Sequence, residues 1–476
     1  MLKKFLAAII FFNFLWTSSA NAMDLSLSES IERALATDEN ISAAEFGRES
    51  AKWNLSAARR QFGLTFGWSS QAYKIGGRSY RSYREAHKHY GNKGAIVYDE
   101  YGYPSFMSGS TAYNNTFSNS FSFSIPIYTG GQLEGNKKNR RYALNSADLT
   151  LENTRQEVKY QVIEAYYRVL QQENLVDVNE SAVRMAAEQL NLLQVQYEEG
   201  ATAYSEVLQM KVQLANYEQS LTTSRSGLAV AKSTLLSLIE LPEETSLKLT
   251  DTFSYKPYEI SLAECLNYAF ENRSDLAAAK YNVNQAEASV ETAKSGNRPM
   301  ITGNASRNIE ANGAFQSERS ETWQAGIALS WNIFDNKVTS ANVHAAKSEV
   351  ERLKAQVEAI NKSVALEVRS AYTQMRAAEE NVKSTEIAVR QADESYEIAV
   401  VRYVEGVDIL LSVTDAQEKL TQARTNYFTA LYQYNLYKAQ LQKAMGIPVG
   451  IDVPKYISAE REGKSSDKAL KISAIE

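Results

Sequence analysis

Two short stretches carry the residues best placed to do chemistry. The first is Tyr197-Glu198-Glu199-Gly200, followed by Thr202, Glu206 and Gln209; the second is Tyr403-Val404-Glu405-Gly406, followed by Asp408, Ser412 and Asp415. Phenol, carboxylate, amide and hydroxyl groups at these spacings can exchange hydrogen bonds and concentrate charge, but they do not set a nucleophile beside a base. Asp408, Ser412 and Asp415 fall at i, i+4 and i+7, so they are expected on one helix face, with Thr202, Glu206 and Gln209 as the matching stripe. Carboxylates crowded on one face would raise one another's pKa and attract cations. The chemistry on offer is therefore electrostatic.

Catalysis is disfavoured by what surrounds these residues. The chain has three histidines and one cysteine, with no Ser-His-Asp arrangement, phosphate-binding Gly-rich loop or clustered metal ligands. His87 and His89 lack a third neighbouring ligand, so no metal or cofactor is implied. Cys265 has no partner for a disulfide; it lies in a helical run where its repeat mate is Ser30, and reads as a small packing residue.

The elements that must position the two stretches are long helices. Gly supplies the φ > 0 conformation that ends one helix and lets the next fold back, so Gly200 and Gly406 mark the tips of two hairpins. Leu214, Leu221, Leu228 and Leu235 recur every seven residues, matched by Leu420, Tyr427, Tyr434 and Leu441, which is a coiled-coil seam. A narrow apolar stripe at Val158, Val162, Ala165, Tyr166 and Val169 repeats as Val364, Val368, Ala371, Tyr372 and Met375. At about 1.5 Å per residue, a helix from Leu133 to Glu199 would be roughly 100 Å long. All seven prolines lie outside these helices.

The stripes belong to a duplication. Leu25-Ser26-Leu27-Ser28-Glu29 recurs as Ile260-Ser261-Leu262-Ala263-Glu264, and the offset of 235 positions holds through Ala58 and Ala293. From Ser124 and Ser330 to Pro242 and Pro448 the offset is 206, so the first half carries 29 extra residues. Each half is expected to open with one helix of about 35 residues, from Ser28 to about Gln61 and from Ala263 to about Ser295. Strands follow. In Asn115–Tyr128 the apolar Phe117, Phe121, Phe123, Ile125 and Ile127 alternate with serines, and Trp323, Ala325, Ile327, Leu329, Trp331 and Ile333 alternate likewise; Leu64–Ile75 and Ile301–Glu310 are weaker strands.

Residues 1–22 have the lysine, apolar run and Ala-Asn-Ala order of a secretory signal peptide. No later stretch reaches the ~18 continuous apolar residues of a transmembrane helix. An exported chain of this kind is soluble or spans an outer membrane as a closed β-barrel. Segments of about ten residues with terminal aromatics favour lipid, but about eight strands are the minimum for a membrane barrel, so four require oligomerisation. The net charge of −5 argues against nucleic acid. The division expected is 1–22 signal peptide, 23–242 first repeat with an external loop at 76–113, 243–259 linker or equatorial segment, 260–448 second repeat, and 449–476 an equatorial or disordered tail. The loop is rich in Tyr and basic residues, including Tyr80, Tyr83, Arg78 and Arg81.

Helix, strand pair and long hairpin, duplicated behind a signal peptide, resembles the TolC-type outer-membrane factor family. The carriers are Gln196-Tyr197-Glu198-Glu199-Gly200, Arg402-Tyr403-Val404-Glu405-Gly406, Leu241-Pro242 and Ile447-Pro448. The resemblance implies a mainly α chain with a membrane β-barrel: a homotrimer whose four strands per chain make one 12-stranded outer-membrane barrel, continued by a coiled-coil α-helical tunnel through the periplasm. It implies a passive conduit for drugs or proteins, partnered by a periplasmic adaptor and an inner-membrane ATP-binding-cassette or proton-driven transporter. Residue by residue, Tyr403 matches a gate tyrosine, Glu206 the position of its acidic partner, and Asp415 an acidic ring position. Ser412 replaces another acid, and Asp408 stands where a basic gate residue is usual. Tyr197, Gly200 and Gly406 are expected at the tip turns that meet the adaptor. Glu198, Glu199 and Glu405 read as solvated helix faces. The rival from another class is a secreted periplasmic coiled-coil scaffold or adaptor, which leaves the two strand pairs unexplained.

Overall fold

The computed structural model describes residues 23–74, 97–98, 104–105, 115–311 and 319–461. The expected signal peptide, the end of the tail and most of the Tyr-rich loop, with His87 and His89, lie outside them. The chain divides into two compact units, one of 52–142 and 283–351, the other of the remaining residues.

The first of these units is built on a four-stranded antiparallel sheet of β2 (Thr65–Lys74), β5 (Asn115–Tyr128), β7 (Met300–Ala311) and β8 (Arg319–Ser330), in that spatial order. Between β2 and β5, β3 (Val97–Tyr98) and β4 (Pro104–Ser105) pair with each other. Directly opposed residues share a face, so the register Ser120↔Asn308 and Ser124↔Asn304 makes a hydroxyl–amide ladder, closed by Ser120 Oγ to Asn308 Oδ1 at 2.6 Å and Ser124 Oγ to Asn304 Oδ1 at 3.0 Å. The other face carries Phe66, Trp68, Phe123, Ile125, Trp323, Ile327 and Leu329, all exposed. β8 ends at Ser330, earlier than the alternation to Ile333 implied, and Trp331 then donates from Nε1 to the Asn297 carbonyl at 3.1 Å.

The second unit is helical. Its N-terminal strand β1 (Met23–Leu25) pairs in parallel with β6 (Leu247–Leu249). The two opening helices of about 35 residues are instead four: α1 (Leu27–Thr37) and α2 (Glu39–Arg60), then α5 (Leu262–Asn272) and α6 (Ser274–Lys294). The breaks fall at equivalent residues, Asp38 (ψ 129°) and Arg273 (ψ 119°), whose backbones leave the helix. Asp38 restarts it, its carboxylate accepting from the N–H of Asn40 at 2.8 Å and Ile41 at 3.0 Å. Both first helices open with a capping box, Ser26 with Glu29 and Ser261 with Glu264.

The hairpins are α3 (Gln132–Glu198) with α4 (Tyr204–Leu238), and α7 (Val338–Val404) with α8 (Leu410–Met445). The apolar stripes read from the sequence form two cores: Val158, Val162, Tyr166 and Val169 pack with Leu235 and Ile239, and Val364, Val368, Ala371 and Met375 pack with Leu431, Tyr434 and Leu441. Residues 243–259 run as a strap past both. Asp251 accepts from the Tyr166 hydroxyl at 2.6 Å, Phe253 packs against each core, and the Lys256 carbonyl accepts from Tyr434 at 2.6 Å. After Gly446 the chain continues into α9 (Val453–Arg461), which forms the described part of the expected tail. Buried Glu152 holds its approach by accepting from the N–H groups of Val449, Gly450 and Ile451 at 2.6, 3.0 and 2.9 Å, and the buried Tyr456 hydroxyl donates to Asp148 at 2.7 Å.

Candidate gate at the hairpin tips

Each tip is a Schellman turn around a left-handed glycine. Gly200 (φ 74°) donates to the Tyr197 carbonyl and Ala201 to that of Gln196; Gly406 (φ 71°) donates to Tyr403 and Val407 to Arg402. A Cβ at either glycine would meet nothing within 4 Å, so the requirement is conformational rather than steric. The rings of Tyr197 and Tyr204 meet tilted across the first turn, with centroids 5.2 Å apart.

The two tips are tied within the chain. Tyr403 is half-buried and donates its hydroxyl to Gln196 Oε1 at 3.2 Å. Leu410, at the start of α8, is buried in the cluster of Leu193, Val207 and Met210 from the first hairpin. Deeper in, buried Gln417 donates from Nε2 to the Ala182 carbonyl at 3.0 Å. Burial pushes the Tyr403 phenol up, and the negative charge of Glu206 adds to the rise. The expected phenol–carboxylate hydrogen bond is not the one found: Glu206 lies close enough to act through its field, while the Gln196 amide oxygen accepts the hydrogen bond.

The carboxylates are separately engaged. Glu206 Oε2 accepts from the Thr202 hydroxyl at 2.7 Å, and among the described residues it has no ion pair. Asp408 precedes α8 and does not share its helical face as the i, i+4, i+7 spacing implied. It is engaged just ahead of the helix, accepting from the Ser412 hydroxyl at 2.6 Å and the Ile409 N–H at 2.9 Å, with Arg402 Nε at 3.5 Å. The Ser412 hydroxyl, then the Ile409 N–H, hold its carboxyl below the usual carboxylate range, opposite to the expected rise, because within the chain donors surround it. Asp415 pairs with Lys419 at 2.6 Å, one turn on. Gln209 is exposed.

Four residues at the site carry contacts to which the sequence assigns no gate role. Gln196 and Arg402 sit inside the two tip motifs, at equivalent places, and Lys419 stands four residues after Asp415, a spacing that signals an ion pair. Gln417 had no local signal, since its partner is 235 positions away. Among the described residues no group of three His, Cys, Asp or Glu could hold a metal ion, and no helix is long and apolar enough to cross a membrane.

The sequence profile of the outer membrane efflux proteins matches residues 30–239 and 265–447, most of both halves. The chain belongs to the outer membrane efflux protein family. Nodulation protein T of Rhizobium leguminosarum bv. viciae is 22% identical over 340 residues, 70% of each chain. The Campylobacter jejuni CmeC outer membrane channel matches with a TM-score of 0.75 at 16% identity, covering 96% of this chain and 95% of that one. The Vibrio cholerae outer membrane protein VceC matches at 0.72 and 19% identity, over 88% and 96%. The open state of the Neisseria gonorrhoeae MtrE outer membrane channel matches at 0.71 and 16%, over 91% and 94%. The mainly helical fold with a four-stranded sheet is that of these outer membrane efflux proteins. Membership places the chain in the outer membrane of a Gram-negative envelope with a periplasmic extension, as an export channel protein. Proteins of this family are passive channels rather than enzymes.

Proposed function

We propose that three copies of this efflux-family chain close one 12-stranded barrel and a helical tunnel, and that the assembly passively conducts cargo from an inner-membrane transporter to the outside. The observation that carries this reading is the sheet. Its edge strands β2 and β8 are open among the described residues, one face is aromatic and aliphatic, and the other is a ladder of hydroxyls and amides. Open edges need a partner, an apolar face fits lipid, and a polar face fits a wet lumen. Four strands reach a closable barrel only by association.

In this reading each repeat, 23–242 and 260–448, supplies one strand pair and one hairpin, and the tips form the periplasmic mouth. Tyr403, held by Gln196 and in the field of Glu206, is the closing contact; Asp408 with Ser412, and Asp415, set the charge around it. The exposed Val404, Val407 and Ile409, with Tyr197 and the turns at Gly200 and Gly406, offer an apolar tip to a periplasmic adaptor. The transporter behind it is of the ATP-binding-cassette or proton-driven kind, and the cargo a secreted protein or a small toxic molecule. Extraction from outer membranes followed by mass measurement and planar-bilayer recording is the test. A trimer with single-channel conductance is expected; a monomer that washes off membranes and conducts nothing would favour the scaffold reading.

A further inference from the structure

On the apolar face of the sheet, the strand register aligns Trp68, Phe121, Arg307 and Trp323 in one row across all four strands. Toward the helices, the next rows are Phe66–Phe123–Ala305–Ala325 and then Ile125–Gly303–Ile327, without a charge. In the opposite direction the next row is Ser70–Asn119–Ile309–Glu321. The face thus passes from apolar to polar from one row to the next, two residues along each strand. Arg307 pairs through Nη2 with Glu321 across that step, and 57% of its side chain is exposed. Trp323 is 79% exposed and Trp68 63%.

An arginine facing the middle of a bilayer is costly, whereas one at the interface is nearly free, and tryptophans collect at the same depth. The row lies at the end of the sheet away from Tyr128, Met300 and Ser330, where the helical segments attach. We propose that this row marks the outer boundary of the hydrocarbon layer, and that Arg307 there binds the phosphate of an outer-leaflet lipid headgroup. The guanidinium has five N–H donors, of which the bond to Glu321 engages one nitrogen, so it can hold carboxylate and phosphate together. Glu321 orients it, and the indoles on either side lie flat against the glycerol and sugar layer. The inference uses the outer-membrane location of the family and does not depend on the gate.

The test uses the full mature protein reconstituted in phosphatidylcholine vesicles, with and without a bis-phosphorylated glucosamine lipid. A variant with Trp53, Trp68 and Trp331 replaced by Phe leaves Trp323 as the reporter. Lipid bromines near the carbonyl should quench it more strongly than bromines near the chain ends; the reverse order would overturn the boundary. Arg307→Gln should weaken association with the phosphorylated lipid about fivefold, the effect of one charge at a membrane surface, and Arg307→Lys should restore most of it. Glu321→Gln should leave phosphate affinity equal or higher. Equal binding by wild type and Arg307→Gln, or no preference for the phosphorylated lipid, would sink the headgroup site. Protein that fails to insert into any vesicle would instead count against the channel reading itself.

Discussion

The two hairpins descend from one pattern, yet they have diverged at three equivalent places, and each difference separates a residue's type from its role. Glu152 on α3 and Glu358 on α7 occupy the same repeat position. Glu152 is fully buried and holds three backbone N–H groups of the C-terminal segment, whereas Glu358 is exposed. At the helix ends, Gly446 takes the left-handed cap (φ 72°) that Glu240 takes at φ 52°. At the tips, Asp408 and Asp415 of the second hairpin have basic neighbours in Arg402 and Lys419, while Glu206 of the first accepts from the Thr202 hydroxyl and has no ion pair among the described residues. The duplication supplies the scaffold, and the asymmetry assigns strap, cap and gate.

The largest effect is expected from the glutamate pair. Glu152→Ala leaves three N–H groups, one buried and two half-buried, without an acceptor and should cost on the order of 3 kcal/mol, while Glu358→Ala should stay within about 0.5 kcal/mol. Thermal unfolding in detergent measures both, and equal costs would remove the distinction. Burial raises the Glu152 carboxyl above its ordinary 4.5 despite those donors. The folded chain therefore holds this proton more tightly than the unfolded chain does. Its contribution grows as pH falls through the raised folded value, is complete below about 4.5, and is lost as pH rises. Amide exchange at Val449, Gly450 and Ile451, referenced to Glu152→Gln at each pH, should show that slope; a slope of opposite sign would refute it.

The helix caps come next. Gly446→Ala forces a Cβ to 2.9 Å from Arg273 Cα in a left-handed residue, and a loss of about 2 kcal/mol is expected. Glu240→Gly relieves the same backbone cost and should add about 1 kcal/mol. If both variants lost stability to the same degree, the two caps would not differ in strain.

The gate contact is smaller. Tyr403→Phe removes one hydrogen bond, worth about 1 kcal/mol, and Gln196→Ala removes its acceptor. Each should raise the open fraction about fivefold in single-channel records and admit more antibiotic, whereas Tyr197→Phe should not. Glu206→Ala should also make the mouth leakier and lower its preference for cations. No change in conductance from any of them would place the gate elsewhere.

Acidification should have the least effect. Asp408 is held below its ordinary 3.8 by the donors around it, so its contribution is complete above that pH and fades as pH falls through the lowered folded value. Below about pH 4 the second tip should therefore loosen in a way that Asp408→Asn abolishes. Proteolysis at the tip, compared between the two proteins, would show it, and identical pH profiles would count against a role for these bonds.

Much of this was legible in the chain. The stripes, the glycine tips and the alternating strands are local patterns, because helix and strand impose periods of 3.6 and 2 on whatever must face a core or lipid. The breaks at Asp38 and Arg273 escaped notice because a charged residue looks ordinary inside a helical run. Asp408 lies off the stripe that its spacing implies because the helix begins two residues later, at Leu410.

By itself the sequence determined the duplication, the two hairpins, the four strands and the acidic tips, all of which rest on spacing along one chain. Only the tertiary structure decided that Gln196 accepts the Tyr403 hydrogen bond, that Gln417 reaches Ala182, and that one glutamate of an identical pair is buried. Those choices depend on which segment arrives from far along the chain to supply or withhold a hydrogen-bond partner, and no local period encodes that arrival.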